Sequence, residues 1–141
     1  MDSVDSLVEM YHRHKRKITP QRLCIFKILQ SNSSHPSAED IYNQAKIQIG
    51  NISLKTVYQI LNELAELNQL EIIDLGTGTI RYDPNVKISH QHLVCKKCSK
   101  VNDVDLKVNG KMIDLSDDAL KNFKIDKIDI VLRGLCVDCF V

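Results

Sequence analysis

The chain lacks any apolar run long enough to cross a membrane. Its first eleven residues also lack the basic start and apolar core of a secretory signal. These two absences predict a cytoplasmic protein in a reducing compartment, where paired cysteines bind a metal more often than they form disulfides. The sequence has no substrate-binding glycine loop and no convincing general base, and this argues against an enzyme.

A large net charge is also missing, because 19 basic and 18 acidic residues leave a formal charge of +1. The charges are nevertheless segregated along the chain. Residues 12–17 read His-Arg-His-Lys-Arg-Lys, whereas eight aspartates lie between positions 103 and 138. Binding to a polyanion is therefore expected of the first half. A length of 141 residues fits one domain or two small ones, and a small domain with little core needs a metal or a dimer partner for stability.

Two Cys-x-x-Cys pairs, Cys95/Cys98 and Cys136/Cys139, are the most informative feature. Each pair brings two thiolates to the separation that a tetrahedral Zn²⁺ needs, and two pairs complete a closed structural site. The 37 residues between the pairs exceed the usual zinc-ribbon spacing, so a folded unit is expected there. A thioredoxin-like dithiol or paired disulfides are the alternatives, but a redox pair opens a helix, whereas Cys95 follows a strand-like run. Cys24 lies in an apolar helical stretch and is predicted to belong to the core.

The first half contains four helix signals followed by a hairpin signal. Apolar residues recur with helical spacing from Val4 to Tyr11. Thr19 before Pro20, Ser37 and Ser53 are predicted N-caps of three further helices, the first of which runs to about residue 30. The side chains predicted to point inward from the last helix are Val57, Ile60, Leu61, Leu64 and Leu67. Residues 71–75 and 79–82, on either side of Gly-Thr-Gly, predict a β-hairpin.

This order of elements predicts a winged helix-turn-helix within an α+β protein. The outward face of the helix over 53–67 suits a DNA major groove, because amides pair with adenine, Lys with guanine or phosphate, and Tyr packs on a thymine methyl. The predicted base-facing residues are Tyr58, Gln59 and Asn62, and the predicted phosphate contacts are Arg13, Lys15, Arg16, Lys17, Arg22 and Lys55. An ordinary solvated face, or a surface for a protein partner, is the alternative.

The second half is predicted to be a small α/β unit. Residues 83–89 are polar, begin with Asp-Pro and suit a hinge. Strands are predicted at 92–95, 101–108 and 128–132, with a helix after Ser116 between the last two. Leu120 and Phe123 of that helix, and Ile128, Ile130 and Leu132 of the last strand, are expected to point inward. The exposed edges of such a sheet suit pairing with a second copy of the chain.

His90 and His92 form a second candidate metal site. Alternate residues of a strand project to one face, so these two imidazoles can chelate one ion together. Imidazoles favour a borderline metal such as Fe²⁺, Mn²⁺ or Zn²⁺, especially when carboxylates join them. A metal-dependent enzyme that uses these histidines, and a zinc-stapled protein-interaction module without DNA binding, are the alternatives from other functional classes.

Several motifs in the same order resemble one known family. Residues 18–22 (Ile-Thr-Pro-Gln-Arg), 35–42 (His-Pro-Ser-Ala-Glu-Asp-Ile-Tyr), 53–61 and 90–98, together with Cys136 and Cys139, are similar to the ferric uptake regulator family over nearly the whole chain. The resemblance implies a winged-helix DNA-binding domain over 1–83, a hinge over 84–89 and a metal-binding dimerisation domain over 90–141. It also implies a homodimeric transcriptional regulator that binds a double-stranded DNA operator.

The resemblance further implies a regulatory Fe²⁺ or Mn²⁺ site. Its ligands, carried over by position, are His35, Asp83, His90, His92 and Asp103. Peroxide-stress regulators resemble this chain in having Asp at position 103, where iron-uptake regulators usually have Glu. That branch implies peroxide sensing by oxidation of His35 or His90. An iron- or zinc-responsive metal-uptake repressor remains the alternative within the family.

Overall fold

The structure is a computed structural model of the 141-residue chain. It describes residues 1–30, 32, 34–76, 78–86, 90–106, 118, 123–125 and 128–140. The chain divides into two compact units, Met1–Ile88 and Ser89–Val141, and this division lies within the segment predicted to be a hinge. Among the described residues, no helix has both the length and the apolar character to span a membrane.

Four helices form most of the first unit: α1 (Val4–Arg13), α2 (Pro20–Gln30), α3 (Ala38–Ile49) and α4 (Leu54–Glu66). The starts of α2, α3 and α4 follow the predicted caps. The Oγ1 of Thr19 accepts the backbone N–H of Arg22 at 3.3 Å, and the Oγ of Ser53 accepts that of Thr56 at 3.1 Å. At α3, Ser37 and Asp40 form a complete capping box in which each side chain accepts the other residue's backbone N–H.

The core of the first unit is built from the apolar faces of all four helices. Tyr11 from α1 packs on Phe26 from α2 with ring centroids 5.1 Å apart, and both side chains are fully buried. Cys24 is buried in the same cluster, as predicted. The inward residues predicted for α4 are buried, except that Leu67 caps the helix and is only partly buried.

A two-stranded antiparallel hairpin of β1 (Glu71–Asp74) and β2 (Ile80–Asp83) follows α4. The backbone N–H of Tyr82 donates to the carbonyl of Pro36 at 3.0 Å. This bond attaches the end of the hairpin to the loop that precedes α3. Helices followed by such a hairpin form a winged helix-turn-helix, as the sequence predicts.

The second unit contains a three-stranded sheet of β3 (Gln91–Cys95), β4 (Val101–Val104) and β5 (Val131–Gly134), followed by the short helix α5 (Val137–Phe140). The strand order is β4-β3-β5, with β3 antiparallel to β4 and parallel to β5. Two parallel neighbours require a long crossover connection. The 37 residues between the cysteine pairs contain β4 and the crossover to β5, and this accounts for their length.

Several predicted boundaries in the second unit are wrong. The last strand covers residues 131–134 instead of 128–132, because its pairing is set by the register of His92 with Val131 and of Cys95 with Gly134. Ile128 and Phe123, predicted to point inward, are 50% and 73% exposed in the single chain. Of the strand predicted over 101–108, residues 101–104 form β4, residues 105 and 106 do not, and residues 107 and 108 lie outside the described part. Most of the helix predicted after Ser116, including Leu120, lies outside the described residues, and the sequence did not predict α5.

Candidate metal centres and nucleic-acid surface

The four cysteines of the two Cys-x-x-Cys pairs converge in the second unit. Each of the four Sγ atoms lies within 4.8 Å of the other three, and those of Cys98 and Cys136 are 3.7 Å apart. In a tetrahedral site with Zn–S bonds of ~2.3 Å, neighbouring sulfurs are ~3.8 Å apart. The donor set therefore fits a closed four-sulfur zinc site. The five cysteines of the chain, all within the described part, are free thiols.

The parallel strand pair brings the two cysteine pairs together. Cys95 is the last residue of β3 and lies opposite Gly134 of β5. Two residues beyond Gly134, the backbone N–H of Cys136 points at the Cys95 Sγ, 3.4 Å away. After Cys95 the chain turns through Ser99, whose φ is +59°, and the N–H of Ser99 returns to the Cys95 carbonyl at 3.0 Å.

The thiols of this cluster differ in acidity. Backbone N–H groups, that of Cys136 most strongly, lower the pKa of Cys95 to about 6. The thiol of Cys136 and burial raise the pKa of Cys139 to about 12. Neighbouring thiols compete for the same protons and cannot all ionise together without a cation. A bound divalent metal would offset the repulsion between neighbouring thiolates, because cysteine binds a metal in its thiolate form.

In the first unit, an imidazole faces a carboxylate at the end of the hairpin. The Nε2 of His35 lies 3.6 Å from the Oδ2 of Asp83, and the two side chains are only 1% and 2% exposed. His35 has a φ of +51°, in the left-handed region, directly before the Pro36 carbonyl that binds Tyr82. The Oδ1 of Asp83 accepts the backbone N–H of Asn85 at 2.7 Å. These bonds hold Asp83 with one oxygen toward His35.

In the second unit, two imidazoles and a carboxylate lie together on β3 and β4. His92 is the register partner of Asp103. The Nε2 of His90 is 3.4 Å from the Oδ1 of Asp103, and the rings of His90 and His92 are 4.8 Å apart with an edge-on geometry. Ligand atoms of the three residues lie within 4.8 Å of one another. Imidazole and carboxylate donors suit Fe²⁺, Mn²⁺ or Zn²⁺.

The outward face of α4 forms a shallow concave surface with residues near the end of α1. The side chains of Lys55, Tyr58, Gln59 and Asn62 are exposed there, as predicted. The Tyr58 hydroxyl donates to the carboxylate of Glu39 at 3.0 Å. The residues that line the surface are Arg16, Lys55, Tyr58, Gln59, Asn62, Glu63 and Glu66. Of the remaining predicted phosphate contacts, Arg13, Lys15 and Lys17 are exposed.

Two of the predicted phosphate contacts, Arg16 and Arg22, form ion pairs with carboxylates that the sequence analysis did not predict. The Nη2 of Arg16 lies 2.8 Å from the Oε2 of Glu66. The guanidinium of Arg22 makes a two-pronged contact with Glu63, and its side chain is only 15% exposed. Glu63 thus engages the guanidinium of Arg22 in the single chain, and the contact of Arg22 with a phosphate stays a prediction. No local pattern could reveal this pair, since its members are 41 positions apart in the sequence.

A winged helix followed by a small sheet unit, with cysteine and histidine clusters that fit metal ions, defines a metal-dependent transcriptional regulator. The chain belongs to the ferric uptake regulator family, whose family model matches residues 13–133. Members of this family are transcriptional regulators, not enzymes, and bind DNA operators as dimers.

Relatives from two branches are similar to the chain to nearly the same degree. The ferric uptake regulation protein of Bacillus subtilis is 32% identical over 140 residues, which cover 96% of this chain and 93% of that protein. The transcriptional regulator PerR of Clostridium acetobutylicum is 34% identical over 138 residues, which cover 96% and 97%. The solved structure of the Helicobacter pylori ferric uptake regulator Fur has a TM-score of 0.77 at 22% identity, covering 98% of this chain and 94% of that one. This last likeness bears on the fold alone.

Proposed function

We propose that this member of the family senses peroxide through metal-catalysed oxidation of a histidine ligand. The observation that carries the proposal is the contact of 3.4 Å between Asp103 and His90. An aspartate at this position resembles the peroxide-stress branch, whereas a glutamate is usual in iron-uptake regulators. The similarity to PerR of Clostridium acetobutylicum, a name that other relatives of the chain carry as peroxide-responsive repressors, supports the same branch.

The proposed structural cofactor is Zn²⁺, held by Cys95, Cys98, Cys136 and Cys139. The proposed regulatory ion is Fe²⁺ or Mn²⁺, with ligands from both halves of the chain: His35, Asp83, His90, His92 and Asp103. The support is that each half contributes a compact set of nitrogen and oxygen donors. Three imidazoles and two carboxylates suit these metals and can leave a position vacant for a small reactant.

A shared ion would couple the DNA-binding part of the chain to the dimerisation part. We assign these roles to residues 1–83 and 90–141, joined by a hinge over 84–89. The ion would stabilise the conformer in which all five ligands can bind it, relative to one in which they cannot. The size of the effect is set by the difference in the affinity of the ion for the two conformers. In the homodimer, that conformer would present two α4 helices to successive major grooves of a double-stranded operator. The setting is expected to be cytoplasmic.

Peroxide would act by changing a ligand. Fe²⁺ held by these residues would supply a redox centre that promotes cleavage of the O–O bond of H₂O₂. In the net reaction, one peroxide oxygen would be inserted into a C–H bond of an adjacent imidazole and the other would leave as water, so H₂O₂ is the oxidant and the histidine is oxidised. His35 and His90 are the proposed targets, each beside a carboxylate that holds its ring in place. An oxidised imidazole is a poorer donor, so the coupling between the two parts fails and DNA is released.

The test is mass spectrometry of the full-length protein loaded with Fe²⁺ or Mn²⁺ and treated with dilute H₂O₂. Trypsin should yield residues 28–46, whose one histidine is His35, and residues 88–96, which contain His90 and His92. A gain of one oxygen is expected on one or both peptides from the Fe²⁺ form only. Fragment spectra separate His90 from His92. Unmodified histidines together with full DNA affinity would reject peroxide sensing.

A metal-uptake repressor that responds to iron or zinc is the second candidate. The similarity to the Bacillus subtilis ferric uptake regulation protein favours it. Such a protein would bind DNA when loaded with its metal and release it when the metal is removed by a chelator, with no effect of peroxide. The same mass-spectrometric experiment therefore separates the two candidates.

A further inference from the structure

Glu63 is the centre of a hydrogen-bonded group beneath the outward face of α4. Its Oε1 accepts from the Nη2 of Arg22 at 2.8 Å and from the Nε2 of Gln59 at 3.3 Å, and its Oε2 accepts from the Nε of Arg22 at 3.1 Å. The Arg22 guanidinium also donates to the Lys17 carbonyl and lies 5.4 Å from the centre of the Tyr11 ring. The Glu63 side chain is 13% exposed.

Glu63 is ionised at neutral pH. Burial acts to raise the pKa of its carboxyl group, but the hydrogen bonds and charge of Arg22 outweigh burial, so the pKa lies below its usual value. A carboxylate can only accept hydrogen bonds. Gln59 must therefore turn its NH₂ group toward Glu63, and its carbonyl oxygen must be the atom that faces elsewhere.

This constraint changes what Gln59 can read on DNA. A free glutamine amide can exchange its oxygen and nitrogen by rotation, so it can present either polarity. With one N–H bound to Glu63, Gln59 retains an oxygen acceptor and one further N–H. That pair matches the amino group and N7 of adenine in the major groove.

We propose that Glu63 is a positioning residue for sequence recognition, fixing the amide of Gln59 so that α4 selects adenine, and holding Arg22 away from the phosphates. This inference rests on the proposed role of α4 as the recognition helix. It extends that role from the residues that touch DNA to a carboxylate that determines which base one of them accepts.

The test uses full-length, Mn²⁺-loaded protein and a library of randomised DNA duplexes. Sequences selected by the wild-type protein give a preferred site, and each base pair of that site is then varied in turn. Glu63→Gln should lower the preference at one adenine position by roughly 5-fold or more, since a good bidentate base contact contributes discrimination of this order. Freed from its partner, Arg22 can reach a phosphate, so the dependence of log K on log[salt] should steepen by about one unit.

Glu66→Gln is the matched control. Glu66 lines the same surface and pairs with Arg16, so its loss changes the charge equally without touching Gln59. It should strengthen binding to all sequences alike and leave base preference intact.

Glu63→Asp keeps the charge but shortens the side chain, so it should lose base preference without the general gain in affinity. Thermal melting of each variant identifies any that is unfolded at the assay temperature. If Glu63→Gln is unfolded, the base preference of Glu63→Asp tests the inference instead.

The double variant Gln59→Ala/Glu63→Gln decides the mechanism. If Glu63 acts through Gln59, the second substitution adds nothing to the loss of preference caused by Gln59→Ala. The inference would be overturned if the two substitutions lower base preference additively, or if the base preference of Glu63→Gln matches that of Glu66→Gln. Either result would leave the assignment of the recognition helix unaffected. If Gln59→Ala and Tyr58→Ala both leave the base profile unchanged, the recognition helix itself is misassigned and the inference fails with it.

Discussion

His92 and Asp103 face each other across the antiparallel pair of β3 and β4, where they are direct register partners. The ladder fixes both backbones, so the length of the side chain at position 103 decides how far its carboxylate reaches. The Asp103 oxygen lies 3.4 Å from the His90 Nε2. One further methylene would advance the carboxylate by ~1.5 Å. Aspartate and glutamate at this position are therefore not equivalent.

Asp103→Glu is expected to slow the response to peroxide. The longer side chain can occupy the position that a small oxidant needs while it still binds the ion, so DNA binding with Mn²⁺ should be retained. Changes of this kind around a metal alter activity by roughly 10-fold or more. The measurement is the rate at which H₂O₂ releases DNA from the Fe²⁺ form. Asp105→Glu, at an exposed position outside the strand, is the control and should respond as wild type. Equal rates in all three proteins would contradict the prediction.

Cys95→Ser is expected to lose both zinc and the dimer. Structural zinc in a small site contributes ~10 kcal/mol or more to folding. Zinc content and sedimentation velocity give the two readouts. Cys24→Ala is the control, because Cys24 is buried in the core of the first unit and takes no part in the four-sulfur cluster. A Cys95→Ser protein that remains a stable dimer without zinc would refute the structural assignment.

Contacts with phosphates and contacts with bases should separate experimentally. Lys55→Ala should weaken binding to every DNA sequence alike and reduce the salt slope by about one unit. Tyr58→Ala should cost ~1–3 kcal/mol mainly at one base pair. The measurement is a salt titration of affinity for the selected site and for single-base variants of it. If both substitutions change the salt slope equally and spare base preference, Tyr58 does not contact a base.

The capping box of α3 should give the first unit a pH-dependent stability. The backbone N–H of Ser37 lowers the pKa of Asp40 below its usual 3.8. A carboxyl group with a lowered pKa in the folded state stabilises at a pH above its unfolded pKa and loses this effect as pH falls through the folded value. Asp40→Asn should thus lower the stability at pH 7 by roughly 0.5 kcal/mol or less, because solvent screens a carboxylate that is 53% exposed. In urea unfolding, the difference from wild type should shrink below about pH 4. A constant difference from pH 7 to pH 3 would exclude this origin.

The helices of the first unit could be predicted because their signals are local. Thr19, Ser37 and Ser53 each accept a hydrogen bond from the backbone N–H three residues further along the chain, and contacts over so short a separation can be predicted from the sequence. The cysteine spacing likewise indicated a metal cluster directly. Helix caps and metal-ligand pairs, which depend on residues close in the sequence, could therefore be predicted without a structure.

The features that were misplaced or not predicted depend on partners distant in the sequence. The alternation of Ile128, Ile130 and Leu132 suggested a strand, but the paired residues are those that match β3 in register, beginning at Val131. Arg22 has the composition of a phosphate contact, yet Glu63, 41 positions away, uses its guanidinium. The charge of a side chain follows from its residue type. Whether that charged group already has a partner within the folded chain depends on residues distant in the sequence.

From the parallel pairing of β3 and β5 we also expect an order of events during folding. The helices of the first unit form largely from contacts close in sequence, which assemble fast. Cys95 and Cys136 are 41 positions apart, so the chain must close a long loop before a metal ion can bind all four sulfurs. Maturation of the second unit would then wait on metal supply, so a zinc-starved cell would accumulate chains whose first half is folded and whose second half is vulnerable to proteases.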